Sequence, residues 1–131
     1  MPTVTAISHV TLTVTDLDAS IAWYERALGL RRVRDMAGPG WRRTLLTGGA
    51  GLVIGLQAHD RTPAGDRFDE ARVGLDHLSF ACADRAEVLA WLAELDAAGI
   101  PHSEISPEPA TVATCPDPDG IAIEFFAPPG S

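Results

Sequence analysis

The sequence predicts an α+β fold in which two βαβββ modules form a curved, partly open mixed sheet with a cleft. The first observation is a repeat, because the segments 9–16 and 77–84 align without a gap at an offset of 68 residues, 77 minus 9. The second is that apolar residues alternate with polar or small residues in both segments, which is the two-residue period of a half-buried strand. The third is that apolar residues at helical spacing follow each segment.

The first module begins with a strand in which His9, Thr11 and Thr13 alternate with apolar residues. A helix follows, with Asp16 or Asp18 as its N-cap and Gly29 as its terminator. Its apolar positions recur at spacings of four, three and four, and they are Leu17, Ile21, Tyr24 and Leu28. Three further strands are predicted near Arg31–Met36, Trp41–Thr47 and Leu52–Gln57.

The second module repeats this order from His77. Its helix opens with a capping-box pattern at Asp84–Glu87, and the stripe Val88, Trp91, Leu92 and Leu95 precedes Gly99. The helix tryptophans Trp23 and Trp91 recur at the same offset and are interpreted as core residues. Weak strands are expected near Ser103–Ile105 and Thr111–Cys115, and a clear one at Ile121–Phe126.

The modules are predicted to form one domain over residues 1–131, with module one at about 5–58 and module two at about 74–127. The intervening segment, about 59–73, is polar and contains Pro63 and Gly65, so it is predicted to be a linker or a lid.

Composition excludes several classes of function. A chain of 131 residues that is 46% hydrophobic and 21% charged can bury one core. It has no apolar run of membrane-spanning length and no signal-peptide layout at its N-terminus, so we expect a cytoplasmic protein without a membrane partner. Two cysteines, Cys82 and Cys115, fit a reducing compartment and are interpreted as buried fillers.

The net charge and the type of basic residue exclude further classes of function. The net charge of −8 disfavours nucleic acid as a partner. All ten basic residues are arginine, which excludes lysine Schiff-base chemistry and phosphate-binding loops that end in Gly-Lys-Ser or Gly-Lys-Thr.

The repeat also indicates where chemistry could occur. Aligning the last strands of the two modules on Gly51 and Gly120 places Glu124 opposite Gly55. A carboxylate within an apolar strand needs a partner charge, a metal or a raised pKa. Because a pseudo-twofold axis brings equivalent strands together, His9, His77 and Glu124 could converge on one cleft.

These residues belong to segments that resemble the vicinal oxygen chelate superfamily, from about Ile7 to Phe126. The resemblance rests on four stretches, which are 9–16 (HVTLTVTD), 23–30 (WYERALGL), 76–80 (DHLSF) and 117–124 (DPDGIAIE). It implies a glyoxalase/dioxygenase-like fold and one divalent metal ion per chain (Fe, Mn, Ni, Co or Zn), held by His9, His77 and Glu124. It also implies a homodimer, since such modules pair their sheets across chains.

The sequence departs from the family at Gly55, where a carboxylate, glutamine or histidine is common. This departure weakens an assignment to glyoxalase-type or epimerase-type chemistry. Extradiol dioxygenases fit the two-histidine, one-glutamate set better. Fosfomycin-resistance-type transferases share that set, but they carry a lysine that this chain lacks.

Two classes of function follow from the resemblance. The leading hypothesis is a metal-dependent enzyme that acts on a small oxygen-chelating substrate by dioxygenase, isomerase or lyase chemistry. The alternative is a protein that sequesters a small molecule or drug without chemistry, as bleomycin-resistance proteins do. Those relatives generally lack the metal ligands, so the complete set counts against this alternative.

Weaker candidates share the predicted cleft face. Gly55, Gln57, Trp41 and Thr11 are candidate substrate-binding residues; Gln57 could equally be an ordinary strand-end residue and Trp41 a packing residue. Arginines cluster in one hairpin and could either bind an anionic substrate or form a solvated strand face; they are Arg31, Arg32, Arg34, Arg42 and Arg43. His59 and His102 could act as an acid or base, and nothing in their spacing selects one.

Overall fold

Each half of the chain builds one open sheet and one helix in the computed structural model, which describes residues 1–131. The chain divides into two compact units, Met1–Asp66 and Arg67–Ser131. Neither α-helix combines the length with the apolar character that a membrane-spanning segment needs.

Unit 1 contains four strands and one α-helix in the predicted order, with a single 3-10 turn at Gly49–Gly51 before the last strand. They are β1 (Val10–Thr13), α1 (Leu17–Leu28), β2 (Arg31–Gly38), β3 (Trp41–Thr47) and β4 (Val53–His59). The sheet order is β1-β4-β3-β2, in which β1 and β4 are parallel and the other pairs are antiparallel. The predicted βαβββ module is therefore confirmed for this half of the chain.

The helix α1 begins and ends where its capping residues require. The Asp16 carboxylate accepts a hydrogen bond from the Ala19 N–H, so Asp16 rather than Asp18 is the N-cap. Gly29 adopts the left-handed conformation at φ 64° and ends the helix. The predicted apolar stripe of this helix is buried, and Trp23 is only 8% exposed.

Unit 2 contains three strands and one helix. They are β5 (Leu78–Ala81), α2 (Arg85–Ala97), β6 (Thr111–Pro116) and β7 (Ala122–Ala127). The sheet order is β5-β7-β6, with β5 parallel and β6 antiparallel to β7. The predicted capping box starts α2, because Asp84 accepts from the Glu87 N–H and Glu87 accepts from the Ala83 N–H.

The strand predicted near Ser103–Ile105 is wrong. The backbone N–H groups of Ser103 and Ser106 donate to carbonyls of β6, but no regular ladder forms between them. Three prolines between residues 101 and 109 lack the N–H that a ladder requires. The segment is an irregular edge beside β6, and the second module is βαββ.

His102 joins this edge to the end of α2. Its Nδ1 lies 2.7 Å from the Ser103 carbonyl oxygen and its Nε2 lies 2.8 Å from Asp96 Oδ1. Both partners are acceptors, so the doubly protonated ring satisfies both contacts. The Ser103 carbonyl, and then Asp96, raise the pKa of His102 above its ordinary value.

A folded-state pKa above the unfolded one stabilises the protein below the unfolded value, about 6.5, and the stabilisation disappears as pH rises through the folded value. We therefore expect His102→Gln to lower the free energy of unfolding more at pH 6 than at pH 8.5. The expected difference is below about 1 kcal/mol, because water screens the Asp96 carboxylate. Urea unfolding at the two pH values measures it. A larger loss at pH 8.5 would contradict the charged contact.

Both cysteines are free and buried, with Cys82 5% and Cys115 1% exposed, as predicted for apolar fillers. Burial raises the pKa of the Cys115 thiol to about 11, which leaves it protonated at neutral pH.

Candidate functional site

The first and last strands of each unit pair in the same register. In unit 1, Thr11 pairs with Gly55 across the parallel strands β1 and β4. In unit 2, Ser79 pairs with Glu124 across the parallel strands β5 and β7. Thr11 and Ser79 are related by the sequence offset of 68, so Glu124 and Gly55 are structural equivalents. The predicted alignment of the two final strands is therefore confirmed.

A hydrogen-bonded turn precedes the strand that carries Glu124. The Asp117 carboxylate accepts hydrogen bonds from the N–H groups of Asp119 and Ile121 at 2.9 and 2.8 Å, which fixes the start of β7. Within β7, Ile123 and Phe125 are 0% and 1% exposed, whereas Glu124 takes the opposite face of the strand. The Glu124 carboxylate is therefore separated from the packed face of β7.

Glu124 accepts one hydrogen bond and lies near one imidazole. The Ser79 hydroxyl donates to its Oε1 at 2.8 Å. The Nε2 of His77 lies 3.7 Å from the same oxygen. With 15% of its side chain exposed, this carboxylate is largely removed from water and retains lone pairs for a further positive partner.

Asp76 orients the His77 ring from the other side. Its Oδ1 lies 2.8 Å from His77 Nδ1, so Nδ1 carries the proton and the neutral ring offers Nε2 as a ligand atom. The hydrogen bond to Asp76, followed by the charge of Glu124, raises the pKa of His77.

His9 has an equivalent arrangement in unit 1. Its Nδ1 lies 3.0 Å from the Ser8 hydroxyl oxygen, and Ser8 precedes Asp76 by the same 68 residues. In both units the side chain before the histidine contacts Nδ1, which leaves Nε2 available. His9 is exposed and lies one residue before β1, as His77 lies one residue before β5.

The donors of unit 2 fit part of a metal site. Two ligands at 2.0 to 2.2 Å from one ion are separated by roughly 3 to 3.5 Å, which is close to the 3.7 Å between His77 Nε2 and Glu124 Oε1. A carboxylate on the second ring nitrogen is the usual support for a metal-binding histidine. The structure gathers no group of three or more His, Cys, Asp or Glu side chains that could hold an ion, so the triad with His9 stays a prediction.

A cavity of about 380 Å³ in unit 2 opens beside this pair of donors. Glu70, Asp76, His77 and Glu124 contribute to its lining. Glu70 belongs to the segment that the sequence predicts to be a linker or lid, and that segment contains no helix or strand after His59, the last residue of β4. An acidic cavity with an imidazole favours a cation over an anion.

Thr11 fills the space beside Gly55. A Cβ atom at position 55 would lie 2.6 Å from Thr11 Oγ1 and 3.1 Å from its Cγ2. The absence of a side chain at Gly55 is therefore compensated by a close neighbour, so no empty space is left next to its Cα.

The remaining candidates of unit 1 form one contact chain on β3 and β4. Arg43 donates from Nε to Gln57 Oε1 at 2.6 Å, and Gln57 Nε2 lies 3.2 Å from His59 Nε2. The Arg43 guanidinium lies over the Trp41 ring at 5.1 Å from its centroid. The sequence offered His59 and His102 as candidate acids or bases. His59 belongs to this series of contacts, whereas His102 lies against Asp96 of α2.

The match to known proteins extends over nearly the whole chain. The family model for the Glyoxalase/Bleomycin resistance protein/Dioxygenase superfamily matches residues 6–125. The chain belongs to this superfamily. The resemblance found in the sequence is confirmed, and so is the glyoxalase-like α+β fold.

Solved structures of the superfamily agree with this assignment. A glyoxylase/bleomycin resistance protein/dioxygenase domain from Frankia sp. EAN1pec is 32% identical, with a TM-score of 0.90 over 98% of this chain and 96% of that chain. Lactoylglutathione lyase from Agrobacterium tumefaciens is 28% identical, with a TM-score of 0.69 over 93% and 92%. The fosfomycin resistance protein FosX from Listeria monocytogenes, solved with Mn(II) and sulfate, is 22% identical, with a TM-score of 0.68 over 95% and 93%, and shares the fold. No curated protein sequence matches the chain.

Three residues that support the site were not predicted from the sequence. Ser8 and Asp76 were not singled out, although they precede the two histidines at the same offset and have side chains that can bond a ring nitrogen. Ser79 was recognised only as part of the repeat. A comparison of the polar residues one position before and two positions after each histidine would have found all three.

Proposed function

We propose that this protein is a divalent-metal-dependent enzyme of the superfamily that acts on a small oxygen-chelating substrate. The observation that carries the proposal is the common arrangement of His9 and His77, each with Nδ1 contacted by the preceding side chain. The proximity of Glu124 to His77 Nε2 supports it. We assign His9, His77 and Glu124 as the ligands of one ion per chain.

Each residue has a defined task in this proposal. Asp76 holds the ring proton of His77 on Nδ1, the Ser8 hydroxyl contacts Nδ1 of His9, and both side chains orient the rings. Ser79 fixes one oxygen of Glu124 by hydrogen bonding, so the carboxylate needs little reorganisation. The bound ion would supply Lewis acidity towards the substrate oxygens. Gly55 leaves the fourth ligand position without a side chain, which keeps coordination positions open for a bidentate substrate.

The reaction class follows from the ligand set rather than from any one neighbour. Two imidazoles and one carboxylate suit dioxygenase, isomerase or lyase chemistry. The non-enzymatic sequestering function is disfavoured because it gives the pair Asp76–His77 and the bond from Ser79 to Glu124 no purpose.

Metal titration followed by a reaction screen tests the proposal. Protein purified anaerobically and treated with chelator should bind one equivalent of Mn(II), Fe(II), Co(II), Ni(II) or Zn(II) in calorimetry. The loaded protein should then convert a member of a panel of catechols, hydroxy-ketones and hemithioacetals. Failure to bind any of the five ions at micromolar concentration would reject the proposal.

We also propose that the protein acts as a homodimer. Residues 1–9 are exposed throughout, with Val4 95% and Ile7 82% exposed, and Val73 is exposed as well. Apolar side chains in such a segment gain free energy when a second copy covers them. Sedimentation should give a dimer at micromolar concentration, and Val4→Asp with Ile7→Asp should shift it towards monomer. A monomeric wild-type protein would contradict this.

A further inference from the structure

One arginine of the β2–β3 hairpin differs from the other four. The side chains of four arginines are exposed, and Arg32 is paired with Asp35 at 2.6 Å; the four are Arg31, Arg32, Arg34 and Arg42. Arg43 is half-buried and is held by neutral side chains. The solvated-face interpretation of the hairpin therefore applies to four arginines and fails for Arg43.

Gln57 fixes one edge of the Arg43 guanidinium. Gln57 is 8% exposed, and its Oε1 accepts from Arg43 Nε at 2.6 Å. Because arginine can only donate, the oxygen of the Gln57 amide must face it, and the NH2 group must face His59. The Gln57 NH2 then donates to His59 Nε2. Both ends of the Gln57 amide are thus engaged by side chains, which prevents it from turning.

Trp41 fixes the plane of the same guanidinium. The Arg43 Cζ atom lies 5.1 Å from the centre of the indole ring, within the range of a cation–π contact. The ring is itself pressed against Gly38, where a Cβ would lie 2.6 Å from Trp41 Nε1. A side chain at position 38 would displace the ring, so glycine is required for this packing.

The orientation leaves the outer fork of Arg43 free. Only Nε is used in a hydrogen bond to protein, and Arg43 forms no ion pair. The Nη1 and Nη2 groups present parallel N–H bonds, the geometry that accepts a carboxylate in a bidentate manner. Arg43 is held in one orientation and has no carboxylate partner, although the protein carries a net charge of −8. Because that net charge repels anions, an anion needs a direct contact such as the one that Arg43 offers.

The strand register relates Arg43 to the proposed metal ligand of the same unit. Thr13 pairs with Gln57 and Gln57 pairs with Arg43, so the three residues form one row across the sheet. His9 lies one residue before β1 and four residues before Thr13, a separation of at most about 14 Å for extended chain. Thr11 and Gly55 form the row between them.

We propose that Arg43 binds a carboxylate of the substrate, with Gln57 and Trp41 as positioning residues. This inference rests on the proposed function. The two together describe the substrate as an elongated molecule with chelating oxygens at one end and a carboxylate at the other. A phosphate group is a poorer match, because a single arginine with one free fork compensates one negative charge.

Binding in the absence of metal tests the anchor independently of the metal site. The probe is 4-phenylbutanoate and its matched control is 4-phenylbutanamide, each titrated in the presence of chelator into 15N-labelled protein. The carboxylate should shift the Arg43 Nε–H and Trp41 Nε1–H resonances. The amide should bind at least about 10-fold more weakly, as expected for loss of a charge-assisted pair.

Three variants locate the effect on Arg43. Arg43→Met should weaken binding of 4-phenylbutanoate about 10- to 100-fold. Gln57→Glu should do the same while preserving the packing, because it supplies a carboxylate to the guanidinium from within the protein. Arg42→Met removes the same charge from the neighbouring position on the opposite face of β3, and it should leave binding unchanged.

Several results would overturn the proposal. These are equal binding of the amide, equal losses in Arg42→Met and Arg43→Met, or retention of binding in Gln57→Glu. Inorganic phosphate that displaces the probe at a lower concentration than acetate would reassign the anchor to a phosphate group. Binding of 4-phenylbutanoate by wild-type protein that binds none of the five metal ions would support the carboxylate anchor and reject the metal assignment alone.

Discussion

Replacing His77 with alanine is expected to lower the affinity for a divalent ion by more than about 100-fold, because loss of a ligand should exceed the 10- to 100-fold cost of losing a supporting residue. Glu124→Gln and His9→Ala should have effects of the same order. Calorimetric titration with Mn(II) and Zn(II) measures each. His102→Gln is the matched control, since its ring is engaged by Asp96 and Ser103, and it should bind metal as the wild type does.

The supporting residues sharpen this test. Asp76→Asn keeps the shape of the side chain next to His77 but weakens the hold on the Nδ1 proton, so affinity should fall by about 10- to 100-fold. Ser8→Ala should have the smaller effect of the two, because a hydroxyl group is a weaker partner than a carboxylate. Circular dichroism confirms that each variant is folded.

The pattern of losses distinguishes the alternatives. Loss in His77→Ala and Glu124→Gln but not in His9→Ala would confine the ion to unit 2 and would reject the three-residue site. Native affinity in all three would reject metal binding altogether.

Most of the fold could be predicted from the sequence because the patterns that indicate its helices and strands lie within short segments and recur in both modules. Capping at Asp16 and Asp84 depends on residues within one helical turn. Because the pattern of strand, capping aspartate and helix occurs in both modules, each occurrence supports the prediction of the other. The edge at residues 103–105 was predicted wrongly because alternation of side chains does not reveal whether consecutive N–H groups reach a partner strand.

The candidate site was predicted only where the repeat could be used. The offset of 68 residues identified His9 and His77, and the alignment of the last strands on Gly51 and Gly120 identified the correspondence of Glu124 with Gly55, which the strand registers confirm. The contacts from Arg43 to Gln57 and Trp41 could not be predicted in this way, because they depend on the register between β3 and β4 and on the rotamers of long side chains.

The second large effect concerns the unequal pairs Thr11–Gly55 and Ser79–Glu124. Gly55→Glu alone should destabilise the protein by about 1 to 3 kcal/mol, the usual cost of overpacking, because its Cβ would meet Thr11 Oγ1 at 2.6 Å. Thr11→Ser removes the branching methyl group and leaves the hydroxyl free to turn. The double variant, Thr11→Ser with Gly55→Glu, reproduces the pair found in unit 2, where Ser79 donates to Glu124 at 2.8 Å. We therefore expect it to recover most of the lost stability in thermal unfolding.

The double variant then separates metal binding from substrate chelation. Its added carboxylate should become a fourth ligand, so metal affinity should rise or stay the same, while one open coordination position is lost. Binding of a catechol probe to the metal-loaded protein should therefore weaken, as measured by its absorption spectrum. Thr11→Ser with Gly55→Ala is the control that carries the packing change without the carboxylate, and it should bind the probe normally. A stable, metal-loaded double variant with undiminished probe binding would show that position 55 does not face the ion. The missing side chain at Gly55 would then not be the reason why coordination positions are open to substrate.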